Sequence, residues 1–476
     1  MKDKIESICC IGAGYVGGPS MAVIAEKCPE IKVNVIDINE KRIERWNSND
    51  LKELPIYEPG LSKVIEKCRN RNLFFSTSIR ENIENADMIF ISVNTPTKVK
   101  GLGAGKASDL KWVEACARQV AKYSKGHTIV VEKSTLPVRT AEVIKKILSA
   151  YQSDSTEMPN KPTFDVLSNP EFLAEGSAVY DLEFPDRVLI GGENKKAIML
   201  LSQIYSKWIS EDKILHTNIW SSELAKLTAN AFLAQRISSI NSIGAICEAT
   251  GADVREVSRA IGSDKRIGSR FLDSGPGFGG SCFKKDVLNL VYLAEHFGLL
   301  EVANFWESVV HLNNWHKRRI SNLVVQKLFG TVSGKNITIL GFAFKANTND
   351  TRESAAIQIC SDLLEEGARL KIHDPKVKRE QIEICLNAPT KELNKIDKNI
   401  HNNELMWIKE KNLYEAIRNS DAVIILTEWE EYSDINWIKA SKIMRKPSWI
   451  FDSRSIVNPQ KVNEANLNFW RIGDGS

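Results

Sequence analysis

Between Ser7 and Gly18 the chain reads SICCIGAGYVGG: four apolar residues, then glycines at 12, 14 and 17 in GxGxxG spacing. An apolar run feeding a glycine turn is a strand entering a helix, and this spacing is the dinucleotide fingerprint. The glycines allow the tight turn and bring backbone amides and a helix N-terminus against a pyrophosphate. The next apolar run, KVNVID, ends in Asp37, 20 residues past Gly17. A carboxylate at that strand end accepts hydrogen bonds from an adenosine ribose and repels a 2′-phosphate, so NAD is expected over NADP. The fingerprint alone does not separate NAD from FAD. Arg42 either covers the adenine or is a surface charge.

The same texture continues. Short apolar runs (NLFFST, DMIFISVNTP, TIVVEKST, FDVLSNPEF, RVLIGG, KILHT) alternate with helical stretches such as LKWVEACARQVAKYS, where Trp112, Val113, Cys116 and Val120 fall roughly on one face. Strand and helix in alternation predict a parallel, doubly wound sheet. From about Trp220 the pattern is helical, opening with SSEL, where Ser and Glu223 form a plausible cap. From Gly334 the alternation resumes in NITILGFAF, RLKIHDP, DAVIILTEW and PSWIFDSR, and LNAPTKELNKIDKNIHNNE (Leu386–Glu404) reads as a polar surface loop. The expected fold is α/β: two Rossmann-like sheet domains, residues 1–215 and 331–476, joined by an all-α domain with a long helix, residues 216–330.

Composition narrows the class. The 476 residues carry 64 Lys and Arg against 60 Asp and Glu, a net +4 with no basic stripe, which argues against nucleic acid as partner. No run approaches the ~18 apolar residues of a membrane span. Nine scattered cysteines without a CxxC pair suit reduced thiols in a cytoplasmic protein and no metal site.

The chemistry concentrates at SGPGFGGSCFKKD, Ser274 to Asp286. So many glycines before Cys282 suggest a loop that wraps a ligand and presents a thiol. Lys284, Lys285 and a helix starting near Phe283 would favour the thiolate, with Asp286 one turn on. The competing reading is a small buried hydrophobe in a glycine turn. In SELAKLTANAF, Lys226 and Asn230 lie four apart on one helix face. They are either an oxyanion-stabilising pair in a dry site or a snorkelling lysine and its neighbour. Polar clusters at 92–97, 132–139 and 168–176 stand at strand carboxyl ends, the ligand side of such a sheet. NAD, a thiol, a carboxylate and an oxyanion pair together suit oxidation of an alcohol through an aldehyde to a thioester that water hydrolyses.

The motifs CCIGAGYVGGP, LPIYEPGL, FISVNTPT, EKSTLPVR, SNPEFLAEG, SSELAKLTANAFLAQRISSIN, GFGGSCFKKD, LGFAFKANTNDTRES and FDSR run in order over nearly the whole chain. In them the chain resembles the nucleotide-sugar dehydrogenase family. The resemblance implies NAD-dependent, two-step oxidation of UDP-glucose to UDP-glucuronate, with two NADH released, in a homo-oligomer. It implies Cys282 as nucleophile, Glu171 as acid/base, Lys226 and Asn230 on the oxyanion, and Asp286 and Thr135 positioning lysine and water. Cofactor contacts are implied at Gly12, Ala13, Gly14, Tyr15, Val16, Gly17, Asp37, Arg42, Val93, Asn94, Thr95, Pro96, Thr97, Ser134, Thr135, Glu175 and Arg352. Substrate contacts are implied at Glu171, Phe172, Leu173, Ala174 and Glu175, at Lys226 and Asn230, and at Gly275, Gly277, Phe278 and Gly279. Phe344, Lys345 and Arg454 complete that set, with Arg266 contributed by a neighbouring subunit. Asp273 stands where animal members tend to carry lysine, and is expected to point away from a diphosphate.

Overall fold

The computed structural model describes residues 2–134, 137–154, 161–387 and 406–475. Thr135 and most of the polar segment 386–404 lie outside them. The chain packs as two compact units, one of residues 1–229 and 288–299, the other of residues 230–287 and 300–476.

The first unit is built on eight strands: β1 (Ser7–Ile11), β2 (Lys32–Ile36), β3 (Leu73–Ser76), β4 (Met88–Ile91), β5 (His127–Glu132), β6 (Thr163–Ser168), β7 (Val188–Gly191) and β8 (Ile214–Thr217). Their order is β3-β2-β1-β4-β5-β6-β7-β8. The first six follow the doubly wound order whose crevice opens where β1 and β4 diverge. Along β1, Ile8 and Cys10 join one core cluster and Cys9 and Ile11 another, so both faces of the sheet are covered. That is why its strands read as unbroken apolar runs rather than alternating ones.

All eight strands expected from the sequence form, but the sheet is not wholly parallel: β6 and β7 meet antiparallel, at Ser168 and Gly191. On the helix Lys111–Tyr123, Val113, Cys116 and Val120 are buried while Trp112 is exposed. Trp112 is adjacent in sequence to Val113, about 100° around the helix, and that rotation takes it off the core face.

The second unit holds six parallel strands: β9 (Asn336–Leu340), β10 (Arg369–His373), β11 (Trp407–Lys409), β12 (Ala422–Ile425), β13 (Trp449–Asp452) and β14 (Asn468–Arg471), in the order β11-β10-β9-β12-β13-β14. The two edge strands, β11 and β14, carry no long apolar run and were not legible in sequence. The helices that matter below are α1 (Gly17–Lys27), α2 (Ile219–Thr250), α3 (Phe283–His296) and α4 (Leu300–Lys327). α2 is the long helix expected between the sheets, but it starts at Ile219, ahead of the serines. Glu223 does not cap it: its carboxylate accepts from the amides of Arg139 and Ala141 at 2.7 and 2.8 Å, so it serves the start of the helix Thr140–Asp154 instead. Among the described residues no helix is long and apolar enough to cross a membrane.

Candidate active site

The fingerprint turn is shaped by its neighbours. Gly12 has φ +112°, and a Cβ there would lie 2.4 Å from the Ser92 carbonyl oxygen. A Cβ on Gly17 would lie 2.0 Å from the Gly12 oxygen, which keeps strand and helix in close contact. Nothing stands within 4 Å of a Cβ at Gly14, so the middle of the turn faces open space. Ala13 is held on both sides, its carbonyl accepting from Trp46 Nε1 at 3.0 Å and its amide donating to Asp37 Oδ2 at 3.0 Å. α1 begins at Gly17 with no side-chain cap and no acidic residue in its first turn, leaving its positive end available to an anion. Tyr15 packs against the core beside the turn, and Val16 occupies the helix's capping position.

Asp37 sits at the end of β2, where its other oxygen accepts from the Asn39 amide at 2.9 Å. Arg42 Nη1 lies 3.0 Å from Asp37 Oδ2, so the two residues expected near the adenosine meet in this structure. An open glycine turn, an uncapped helix start and a carboxylate at the second strand end fit NAD.

At the end of β4, Val93, Pro96 and Thr97 are half-buried, Thr95 is buried and Asn94 is exposed. Ser134, at the end of β5, donates to the carbonyls of Ile91 at 3.2 Å and Val93 at 2.7 Å, which stitches the two strand ends together.

Beside it the Lys133 ammonium, buried, lies 2.8 Å from Glu171 Oε2 and donates to Asn169 Oδ1 at 3.1 Å and to the Tyr205 hydroxyl at 3.3 Å. Burial works to lower the lysine pKa, but the negative charge of Glu171 wins and holds it above the usual range. Lys133 escaped the sequence reading, although it stands inside EKSTLPVR. A lysine one residue past a β-strand in a wholly covered sheet was the available signal.

The SNPEFLAEG turn is fixed from a distance. Glu58, buried in the LPIYEPGL segment, accepts from the amides of Gly176 and Ala178 at 2.8 to 3.1 Å. In sequence the segment is one of the motifs that carry the family resemblance, and it names no partner for Glu58. Two cations lie against Phe172: the Arg187 guanidinium is 3.9 Å and the Lys226 ammonium 5.3 Å from its ring centre. Lys226 is buried, so the snorkelling reading is set aside. Leu173 packs on the core, the Ala174 amide donates to Asp181, and Glu175 is half-buried.

In the second unit, Cys282 is half-buried one residue before α3. Ser281 Oγ stands 3.4 Å from its sulfur. One turn on, Asp286 is wholly buried and accepts from Asn230 Nδ2 at 2.5 Å, with Lys285 Nζ 3.8 Å from the other oxygen. Lys284 instead pairs with Glu353 at the surface.

The glycines ahead of Cys282 are demanded by the protein itself. Gly277 has φ +116°, and a Cβ there would lie 2.7 Å from Asn313 Oδ1; one on Gly279 would lie 2.7 Å from the Glu353 carbonyl oxygen and 2.9 Å from Phe344 Cβ. The loop is thus pressed between α4 and the turn 344–353, which only residues without side chains permit.

Phe344 accepts through its carbonyl from Arg454 Nη2 at 3.0 Å, and Lys345 lies over the Phe344 ring at 5.7 Å. Arg454 also donates to the Leu426 carbonyl at 2.8 Å and pairs with Glu428. Phe278 is buried, edge-on to Phe283 at 6.0 Å, and Gly275 is buried beside Arg454. Arg352 is held by the Asp350 carboxylate. Arg266 pairs with Asp264 on the surface with 90% of its side chain exposed, and Asp273 is exposed.

The sequence matches the three parts of the UDP-glucose/GDP-mannose dehydrogenase family: its NAD binding domain over residues 6–209, its central domain over 220–315 and its UDP binding domain over 338–459. It is 54% identical over 462 residues to the UDP-glucose 6-dehydrogenase of Gallus gallus, a match covering 96% of this chain and 90% of that protein. Against the UDP-glucose 6-dehydrogenase of Bos taurus it is 55% identical over 459 residues, with the same coverage. Among solved structures, a UDP-glucose dehydrogenase from the hyperthermophilic archaeon Pyrobaculum islandicum aligns over 100% of this chain and 99% of its own, with a TM-score of 0.82 and 28% identity. From the fingerprint at Gly12 to the β13 end at Arg454, the chain belongs to the UDP-glucose/GDP-mannose dehydrogenase family and is an NAD-dependent oxidoreductase.

Proposed function

We propose that the chain oxidises UDP-glucose to UDP-glucuronate in two NAD-linked steps through a covalent adduct on Cys282. The observation that carries the reading is the setting of that thiol: it follows a tightly held glycine loop and stands at the start of α3. One turn on lies a carboxylate bonded to Asn230 at 2.5 Å. NAD, when bound, takes the hydride in each oxidation.

The remaining steps belong to the chain's own residues. The first oxidation turns the C6 alcohol into an aldehyde, its hydroxyl proton leaving to solvent through the polar side chains of the site. Cys282 Sγ then adds to C6, forming a carbon–sulfur bond while the thiol proton goes to the oxygen. The second oxidation of that thiohemiacetal leaves a thioester. Water deprotonated by Glu171 attacks C6, the carbon–sulfur bond breaks, and the thiolate departs with a carboxylate formed. Lys226 and Asn230 hold the oxygen of C6 while it carries negative charge, an effect large only where water is excluded. Asp286 keeps the Asn230 amide oriented, with Thr135 assigned to the water.

In this reading Phe278 and the loop Gly275–Gly279 enclose the sugar nucleotide, and Phe344, Lys345 and Arg454 hold its uridine diphosphate. Arg352 reaches the cofactor, and Arg266 acts in a neighbouring copy, which would explain a guanidinium 90% exposed in the single chain. Residues 1–215, 216–330 and 331–476 then serve as cofactor, assembly and sugar-nucleotide domains.

The test is stoichiometry. Purified protein with UDP-glucose and excess NAD should yield two NADH per sugar consumed, and Cys282→Ala should abolish turnover. One NADH per sugar with an active Cys282→Ala variant would overturn the thioester route. Turnover only with another nucleotide sugar would overturn the substrate.

A further inference from the structure

Three polar side chains are buried against the glycine loop, and two of them spend their hydrogen bonds on its backbone. On α4, Asn313, His316 and Lys317 stand at i, i+3 and i+4, one face of the helix. All three are buried. Asn313 reads both sides of Phe278, its Oδ1 accepting from the Phe278 amide at 2.9 Å and its Nδ2 donating to the Phe278 carbonyl at 3.1 Å. His316 Nε2 lies 2.9 Å from the Gly275 carbonyl oxygen, so that nitrogen carries the proton and donates. From α2, Asn241 Oδ1 accepts from the Gly275 amide at 2.9 Å and from Ser274 Oγ at 3.0 Å.

Residues 275 and 278 are thereby fixed at both their amide and their carbonyl. The stem of Lys317 closes on Gly277, and its Nζ donates to the Glu353 carbonyl at 3.1 Å, tying helix and turn together behind the loop. Burying an asparagine, a histidine and a lysine is costly unless each is bonded, and a hydrophobic face would have packed a loop more cheaply. What polar side chains add is a single backbone conformation.

We infer that Asn241, Asn313 and His316 are positioning residues that preorganise the loop Gly275–Phe278 for the uridine-diphosphate sugar. This rests on the proposed reading that the loop binds that ligand. Rigid presentation lowers the ordering cost of binding, so the clamp acts on nucleotide-sugar affinity and leaves the NAD site alone.

The experiment compares the full-length enzyme with Asn313→Leu, Asn313→Ser, His316→Leu and His316→Gln. Amide hydrogen exchange is followed over peptides spanning 274–283, with KM for UDP-glucose and for NAD measured in parallel. Expected are faster exchange at Gly275 and Phe278 and a rise of about tenfold in the UDP-glucose KM, with the NAD KM within twofold. His316→Gln, whose amide can still donate to Gly275, should restore most of what His316→Leu loses. Unchanged exchange overturns the clamp. Faster exchange with an unchanged UDP-glucose KM also overturns it, by leaving these residues merely structural. If Asn313→Leu fails to fold, Asn313→Ser and the His316 pair give the same comparison. Should the wild-type protein not oxidise UDP-glucose, the proposed function fails separately. Calorimetric titration with UDP then judges the clamp: weakened binding in the variants supports it and equal binding overturns it.

Discussion

Lys133 Nζ and Glu171 Oε2 lie 2.8 Å apart, an ammonium without solvent contact against the carboxylate expected to activate water. The pair sits at the ends of β5 and β6, and Asn169 and Tyr205 take up the lysine's other protons. Removing the cation has two consequences. Lys133→Met should destabilise the fold by about 3 kcal/mol, as for other broken buried pairs, measured by urea unfolding. In the protein that still folds, kcat should fall by about tenfold or more, because Glu171 loses the ammonium that fixes the position of its carboxylate. A kcat unchanged by the substitution would separate Lys133 from Glu171's chemistry.

His316 gives a stability signature in acid. Burial is the first cause, the nearby Arg319 charge the second, and together they push its pKa from 6.5 to about 4. The folded state therefore refuses a proton that the unfolded chain accepts. Stability from the neutral ring is complete above pH 6.5 and is lost as pH falls from 6.5 towards 4, with a slope up to about 1.4 kcal/mol per pH unit. His316→Gln should flatten that part of the curve of unfolding free energy against pH.

Glu132 has the opposite sign. It is buried at the end of β5, where desolvation first and the Glu223 carboxylate second raise its pKa well above 4.5. Glu132 thus prefers its protonated form in the fold, and its contribution falls as pH rises above 4.5. Glu132→Gln keeps the shape and a hydrogen-bond donor without needing the proton. It should stabilise the protein by about 1 kcal/mol at pH 7 to 8 and change little below pH 4.5, read as melting temperatures across that range.

Asp37 and Arg42 should govern the choice of cofactor. The carboxylate repels a 2′-phosphate and at the same time occupies the guanidinium that would welcome one, at 3.0 Å. Asp37→Ser removes the first and frees the second. The ratio of kcat/KM for NAD to that for NADP should fall by at least about tenfold. A ratio unchanged by the substitution would mean that this strand end does not contact the adenosine ribose.

Gly277→Ala is the backbone counterpart of the clamp. It places a Cβ 2.7 Å from Asn313 Oδ1 on a backbone at φ +116°, which should cost about 1–3 kcal/mol. The loss should appear in thermal unfolding and in the UDP-glucose KM together.

Much of the architecture was legible because its signals are local. A strand covered on both faces is apolar at most of its positions, so β1, β2, β4, β5, β9 and β12 announced themselves. The edge strands β11 and β14 pair on one side only, and their short mixed sequences carried no such mark. The fingerprint was legible for the same reason, since turn, helix start and Asp37 lie within one βαβ unit. Glu223 shows where local reading fails. It has the spacing of a cap for its own helix, yet its bonds go to Arg139 and Ala141, more than 80 residues away.

The sequence by itself determined the two sheets, the helix-rich stretch between them, the dinucleotide turn and the presence of a thiol after a glycine loop. These follow from hydrophobic period and from residues whose backbone freedom is intrinsic. Tertiary structure alone decided what surrounds the reactive groups. Lys133 meets Glu171 across neighbouring strand ends, and Asn230 meets Asp286 across a separation of 56 residues. The glycines before Cys282 proved to be required by Asn313, Phe344 and Glu353 pressing on the loop. The physical reason is that charge and hydrogen-bond satisfaction depend on distance in space, and no sequence period encodes which distant side chain will fill a buried partner's last bond.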